Sequence, residues 1–316
     1  MLKYTVSILL GAAMAVSALT ARADAAPGAE YHPRAEKVAT NVYAIVGPLG
    51  QRSAENDGLN ANYGFIVTPQ GVILIDSGAS RLGAQKLEAA VRKVTQQPVR
   101  WVINTGSQDH RWLGNDYFAG QGAEVIALAR TAATQSEYAT QQMTGLERFL
   151  GARLAGTQPL PAPKTLAGDR ATLTLGGVKL ELAYTDTHYP GDAWVWLPTQ
   201  RVVFSGDLIY VDRLTGVLPW SSVQNGQKAF KALAALKPAR IVPGHGRVSD
   251  LAQAKRESGD YYDFLVEKVG AAAREMEPLA DTLDRHADLA AFRHLENFND
   301  LHRANMNRAF VEFESQ

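Results

Sequence analysis

Residues 104–115 read NTGSQDHRWLGN and follow the apolar run VRWVI. A buried-type strand that runs into a loop with an Asp109-His110 pair is a natural place to hold a metal. Three other polar residues share the setting. His188 stands in THYPGD, Asp207 in SGD after VVF, and His245 in PGHG after IV. Strand ends flanked by glycine are where layered α/β proteins place their sites, since the backbone there turns sharply and lets ligands approach. Singly, each has a plain structural use: a loop histidine hydrogen-bonds, and an Asp after Gly forms a turn. Jointly, imidazoles and a carboxylate suit zinc, whose catalytic sites pair three protein ligands with an open water position.

The positioning elements follow from hydrophobic periodicity. KVATNVYAIVG (36–46) reads as one strand, and YGFIVTPQGVILID (63–76) as two strands around a Pro-Gln-Gly turn. Between them, 47–62 is a Gly/Asn/Asp-rich loop, either a lid or an inert surface loop. Leu82, Leu87, Val91 and Val94 share one side of a helix over 80–96. VRWVIN (99–104) and EVIAL (124–128) are strands, and 129–150 is helical. A Pro-rich connector, TQPLPAPKT (157–165), precedes strands in VKLELAY, DAWVWL and RVVFSG. QKAFKALAAL (227–236) is an amphipathic helix and ARIVPGHG (239–246) a strand. Beyond about 250 the chain is helical and charged. His286, His294 and His302 recur every eight residues. On a helix that spacing turns about 80° per step, so they read as surface or capping residues rather than a ligand face.

Bulk composition narrows the partners. The formal net charge is 0, with 46% hydrophobic and 20% charged residues. No basic excess draws nucleic acid or an anionic membrane, and a small-molecule substrate is expected. Lys3, the apolar VSILLGAAMAVSAL and the small-residue sites around Ala23 and Ala25 form a secretory leader, with an uncleaved anchor as the alternative. No apolar segment of that length follows, so no membrane association is expected after cleavage. The chain has no cysteine, which rules out disulfides and thiolate ligands. An exported protein without cysteine fits the periplasm. The expected division is a leader at 1–23, a layered domain at 24–250 and a helical extension at 251–316.

NYGFIV…GVILIDSG (62–78), INTG…DH…LGN (103–115), THYPGD (187–192), WVWLPTQRVVFSGD (194–207) and IVPGHG (241–246) together resemble the metallo-β-lactamase superfamily. The resemblance implies an αββα sandwich of class α/β, with a metal site at one edge between two sheets. The leader and LHRANMNRAFVEFE (301–314) resemble periplasmic metallohydrolases linked to sulfur-oxidation or quinoprotein systems.

The departure from the family loop, Asn-Thr-His-x-His-x-Asp-His-x-x-Gly-Asn, is as informative. Without gaps, its four ligand positions fall on Gly106, Gln108, His110 and Arg111; a one-residue slip would instead restore an Asp109-His110 pair. The resemblance then implies one zinc ion at His110, Asp207 and His245. Asp109 is a possible fourth ligand, or the group that orients the attacking water or takes its proton. His188 is a spare ligand or an oxyanion donor, and Gln108 offers at most a weak amide oxygen. The implied activity is hydrolysis of an ester, thioester, amide or lactam by metal-bound water. The opposing expectation is that Arg111, always cationic, points at Asp109 and Asp207 and replaces the metal, leaving a non-catalytic periplasmic binding or accessory protein. Asp76 should brace the site loop, while Trp112, Trp220 and Tyr189 line its mouth or simply pack. The tail 254–316 should pack on the sandwich, narrow the pocket or help form a homodimer.

Overall fold

The computed structural model describes residues 30–314, so the expected leader lies outside the described residues. Among the described residues twelve strands form two sheets. The first has seven: β1 (Ala35–Ala39), β2 (Val42–Ile45), β3 (Tyr63–Thr68), β4 (Gly71–Ile75), β5 (Val99–Ile103), β6 (Glu124–Leu128) and β7 (Lys164–Leu166), in sequence order. The second contains β8 (Arg170–Leu175), β9 (Val178–Tyr184), β10 (Ala193–Leu197), β11 (Val202–Phe204) and β12 (Arg240–Val242), in the order β12-β11-β10-β9-β8.

Alternation along the strands explains the layers. Ile66, Ile73, Ile75, Ile103 and Ile126 of the first sheet meet Leu180, Leu182, Val195, Val202 and Phe204 of the second in one apolar cluster. The opposite face of the first sheet turns Phe65, Leu74 and Val102 toward Leu87 and Val91 of α1 (Arg81–Arg92). Strand β4 is buried at all five positions because it is covered on both sides. The second sheet is covered in the same way by Phe230 and Leu233 of an amphipathic helix, Val223–Ala235, which packs on Trp194, Trp196 and Val203. The result is the expected αββα sandwich.

Several local readings change. Residues 36–46 are two strands, β1 and β2, turned at Asn41, whose φ is 59°. The Pro-rich connector ends in β7, and RATLTL is the half-exposed edge strand β8, whose alternation had been overlooked. The tail is not continuously helical. A helical run over 251–274 contains two π-helical stretches, and the helices Leu279–Arg285 and Phe298–Glu314 follow. His302 is buried rather than surface: its Nδ1 meets the Tyr261 hydroxyl at 3.0 Å, and its Nε2 the His286 carbonyl at 2.9 Å. His294 is exposed.

The tail packs on the second sheet's helical layer through Tyr261, Leu265, Phe298 and Phe310, which join Leu214, Val217 and Val223. Glu312 accepts from the Val223 amide at the start of helix Val223–Ala235, at 2.8 Å. Asn305 brackets the segment after β11, donating to Thr215 O at 2.8 Å and accepting from Val217 N at 2.8 Å. No helix among the described residues is long and apolar enough to cross a membrane.

Candidate functional site

Five segments leave the two sheets at one edge and converge: the loop after β5, the β9–β10 turn, the ends of β11 and β12, and the loop 47–62. The loop after β5 is built on side-chain bonds. Asp76, held at φ 62°, accepts from Thr105 N at 2.7 Å and Thr105 Oγ1 at 2.6 Å. Asn104 and Asn115 clasp each other across the loop, at 2.8 Å and 3.1 Å. Residues Asp109–Trp112 form a helical turn, α2. That turn settles the register. His110 faces Asp207 and His245, Asp109 stands behind His110, and Arg111 points beneath the site.

Three of the four expected metal ligands come together. One donor atom each from His110, Asp207 and His245 lies within 4.8 Å of the others, and all three residues are buried. His110 Nε2 is 3.3 Å from Asp207 Oδ2, and His245 Nε2 is 3.2 Å from Asp207 Oδ1. His188 stays outside that cluster, with its Nε2 3.4 Å from the Tyr210 hydroxyl. All three imidazoles have Nδ1 committed to a fixed acceptor. Nδ1 of His110 meets the Asp109 carboxylate at 3.1 Å, that of His188 the Gly216 carbonyl at 2.8 Å, and that of His245 the Asn60 carbonyl at 2.8 Å. A carbonyl or carboxylate can only accept, so each Nδ1 carries a proton, and in a neutral ring Nε2 is then the free nitrogen.

Electrostatics reinforce this assignment. Burial, then the nearby Arg213 guanidinium, pushes His245 well below the ordinary histidine range, and burial lowers His188. A neutral His245 therefore aims a lone pair at a carboxylate oxygen. That contact is repulsive unless a cation lies between, so the donor set fits a metal ion. Among the described residues His110, Asp207 and His245 form one such cluster, and the other loop positions add little to it. Gly106 has no donor, Gln108 has only an amide, and Arg111 donates without accepting. A Cβ at Gly106 would also lie 3.0 Å from Asp192 Oδ1, so a larger residue there crowds a buried carboxyl.

Arg111 is 1% exposed and fully engaged. Its Nη2 and Nε reach the two oxygens of Asp207 at 2.5 Å and 3.2 Å, and its Nη1 reaches Asp76 Oδ2 at 3.1 Å and Asn62 O at 2.9 Å. Nη2 also donates to Gly244 O at 3.2 Å. A Cβ at Gly244 would fall 2.9 Å from that nitrogen and 2.6 Å from Asp207 Oδ1, so glycine is what lets β12 approach this closely. Burial would raise the Asp207 pKa, but the Arg111 guanidinium holds it well below the usual carboxylate range. The expected partner Asp109 pairs instead with Arg52, at 3.4 Å.

The three imidazoles line a cavity of about 130 Å³ with Arg52, Tyr210 and Arg213. Gly216, Leu218 and Leu301 close its far side, so the tail narrows the pocket as expected. The 47–62 loop is tied to the site at its end. Asn60 accepts from His245, and the Asn62 amide donates to Pro243 O at 2.9 Å and to Gly246 O at 2.6 Å. A second cavity, of about 220 Å³, shares Arg52 and Gln108 with the first and includes Asp109, Phe149 and Tyr189. Trp220, 45% exposed, packs edge-on against Tyr189 at the mouth, whereas Trp112 is buried and bonded to Ser107 O and Gln142.

Sequence reasoning missed Asp192, Tyr210, Arg52 and Arg213. Asp192 accepts from the His188 and Tyr189 amides at 3.0 Å and 2.7 Å, and the Pro-Gly-Asp turn could have flagged it. Tyr210 is set by Ser258, which bonds its N at 2.9 Å and its O at 2.7 Å from one of the π-helical stretches. No local signal marks Tyr210 or the two arginines.

The family profile of the Metallo-beta-lactamase superfamily matches residues 56–245. The 2,4-dinitroanisole O-demethylase subunit alpha of Nocardioides sp. (strain JS1661) is 26% identical over 182 residues, 55% of this chain and 49% of that one. This chain thus spans about half the length of that relative. Metallo-beta-lactamase IND-1 of Chryseobacterium indologenes is 23% identical over 211 residues, 65% of this chain and 77% of its own. A metallo-beta-lactamase structure from Pontibacter korlensis superposes with TM-score 0.59 at 20% identity, over 73% of this chain and 99% of that one. The DIM-1 metallo-beta-lactamase structure gives TM-score 0.57 at 19% identity, over 74% of this chain and 98% of its own.

Proposed function

The chain belongs to the metallo-β-lactamase superfamily, and from that premise we propose that it is an exported, metal-dependent hydrolase with a single ion at His110, Asp207 and His245. One observation carries this reading: Nδ1 of each pocket histidine is tied to a fixed acceptor, so the free Nε2 atoms are left for the site. Zinc suits these donors and, when bound, would activate water and polarise the carbonyl of an ester, thioester, amide or lactam.

The chain's own residues do the positioning. Asp109 fixes the tautomer and orientation of His110, while Asn60 does the same for His245. Burial raises Tyr210 well above the usual phenol range, so its hydroxyl keeps its proton. It can donate to His188 Nε2 or to a substrate oxygen in the cavity. The leader and the absence of cysteine support a periplasmic location.

Arg111 favours a second reading, a non-catalytic binding or accessory protein in which the guanidinium stands in for the ion on Asp207. Metal content separates the two. Mature protein purified without chelator and offered zinc is expected to hold about one ion per chain by elemental mass spectrometry, and His245→Ala to hold none. A folded wild-type protein that takes up no zinc would overturn the hydrolase reading.

A further inference from the structure

The stretch 208–217 follows β11 and walls the cavity with Tyr210, Arg213 and Gly216. One edge of it runs along the end of β12: Gly244 N donates to Ile209 O at 2.8 Å, and Val211 N to His245 O at 2.9 Å. The alternate residues turn their backbone groups to the other edge, and there buried N–H and C=O groups must find partners elsewhere. The partners are side chains of the tail. Ser258 accepts from Tyr210 N at 2.9 Å and donates to Tyr210 O at 2.7 Å, which is what a neighbouring strand would do. Glu257 accepts from Asp212 N at 2.6 Å, and the Tyr262 hydroxyl donates to Leu208 O at 3.2 Å. Asn305 spans the next turn, donating to Thr215 O and accepting from Val217 N, both at 2.8 Å.

These clamps come from residues beyond the 56–245 span of the superfamily profile, so the tail supplies them on its own account. Ser258 and Asn305 are both 0% exposed. A hydroxyl and an amide are costly to bury unless fully bonded, and an apolar core would have held the tail on the sandwich without them. Ser258 stands in the π-helical stretch Lys255–Gly259, a distortion of the kind that clusters at functional sites.

Both clamps end on the same pair of cavity groups. Ser258 holds the backbone of Tyr210, whose ring lies 4.5 Å from that of His245 and whose hydroxyl is 3.4 Å from His188 Nε2. Asn305 holds the residues on either side of Gly216, whose carbonyl fixes His188 Nδ1 at 2.8 Å. The contact between Tyr210 and His188 is at the long end of hydrogen bonding, so a small displacement of either group breaks it. We propose that Ser258 and Asn305 are positioning residues of the site, which set the Tyr210 hydroxyl and the His188 imidazole against each other from behind the cavity wall. The reaction they serve rests on the hydrolase reading; their hold on the two groups does not.

The test is nuclear magnetic resonance of the full mature chain, isotope-labelled at tyrosine Cζ and at the histidine ring nitrogens. The Tyr210 signal is identified by its loss in Tyr210→Phe, and the His188 Nδ1–H signal by its loss in His188→Gln. Ser258→Ala is expected to shift the Tyr210 signal, and Asn305→Ala to speed solvent exchange of the His188 proton about tenfold. A merely structural role would lower the urea midpoint with both signals in place, and that outcome overturns the proposal. If either variant does not fold, Ser258→Cys or Asn305→Asp, which weaken the same bonds, are read in the same way. With zinc-loaded protein and para-nitrophenyl acetate, Ser258→Ala should lower kcat about three- to tenfold with KM and zinc content unchanged. It should add nothing in the Tyr210→Phe background, and a loss that persists there overturns the proposal. Signals that respond as expected in a chain that takes up no zinc would defeat the hydrolase reading alone. A zinc-loaded, active chain whose signals ignore both variants would defeat the positioning role alone.

Discussion

Two arginines lie buried at one site and are treated in opposite ways. Arg111, beneath the site, is enclosed by two carboxylates and two carbonyls. Arg213, in the cavity wall, has two carbonyls and no carboxylate among the described residues. Burial depth is nearly the same, at 1% and 6% exposed, so exposure does not distinguish them. Charge balance does. A buried cation with carboxylate partners holds a structure together, whereas one held only by carbonyls is kept at a cost to stability.

The largest expected effect comes from breaking the balanced arginine. Arg111→Met leaves Asp76 and Asp207 buried without their cation and should cost about 3–5 kcal/mol in chemical denaturation. Recovery of part of that loss on adding zinc would show that metal and guanidinium compete for Asp207. A near-neutral result would remove the distinction between the two arginines. Next comes Asp109→Asn, which weakens the brace on His110 without touching either arginine. Zinc affinity should fall about ten- to a hundredfold, read by competition with a chromophoric chelator, with little change in unfolding midpoint. A loss of stability instead would make Asp109 part of the framework.

Acid titration gives a smaller effect. The folded pKa of Asp207 lies below its unfolded value of about 3.9, so its contribution is complete above roughly pH 5. It is lost as the pH falls through the folded value. In urea melts between about pH 5 and 2, Asp207→Asn should flatten the acid limb relative to wild type. An unchanged slope would mean that other carboxylates set it. The smallest effect belongs to Arg213→Gln, expected to alter stability by no more than about 1 kcal/mol and in the stabilising direction, because it removes an uncompensated charge. A loss comparable to that of Arg111→Met would make Arg213 structural.

Much of the site was legible in short stretches. Asp207 and His245 were found because each follows an apolar run and borders glycine, and His188 because it comes just after a strand, and a strand end is a local property. Most strands were likewise visible in alternation and turns, apart from the break between β1 and β2, the short β7, and β8, whose RATLTL pattern was available but unread. The two-sheet arrangement was legible only through the family resemblance. The register of Asp109, His110 and Arg111 was not visible, since it depends on the four-residue turn α2 rather than on spacing alone. His302 was misread for a related reason. Spacing along one helix says nothing about Tyr261 and Phe298, whose rings bury it.

By itself the sequence determined the family of folds, the candidate donor atoms and the loss of three ligand positions, Gly106, Gln108 and Arg111, because residue type fixes what each side chain can donate or accept. Only the tertiary structure decided what Arg111 pairs with and what Arg213 lacks. Arg111 finds its partners 35, 96 and 133 residues away, and Arg213 is bound by carbonyls 163 and 164 residues away. The sign of a buried charge's effect rests on such distant neighbours, and no local pattern carries them.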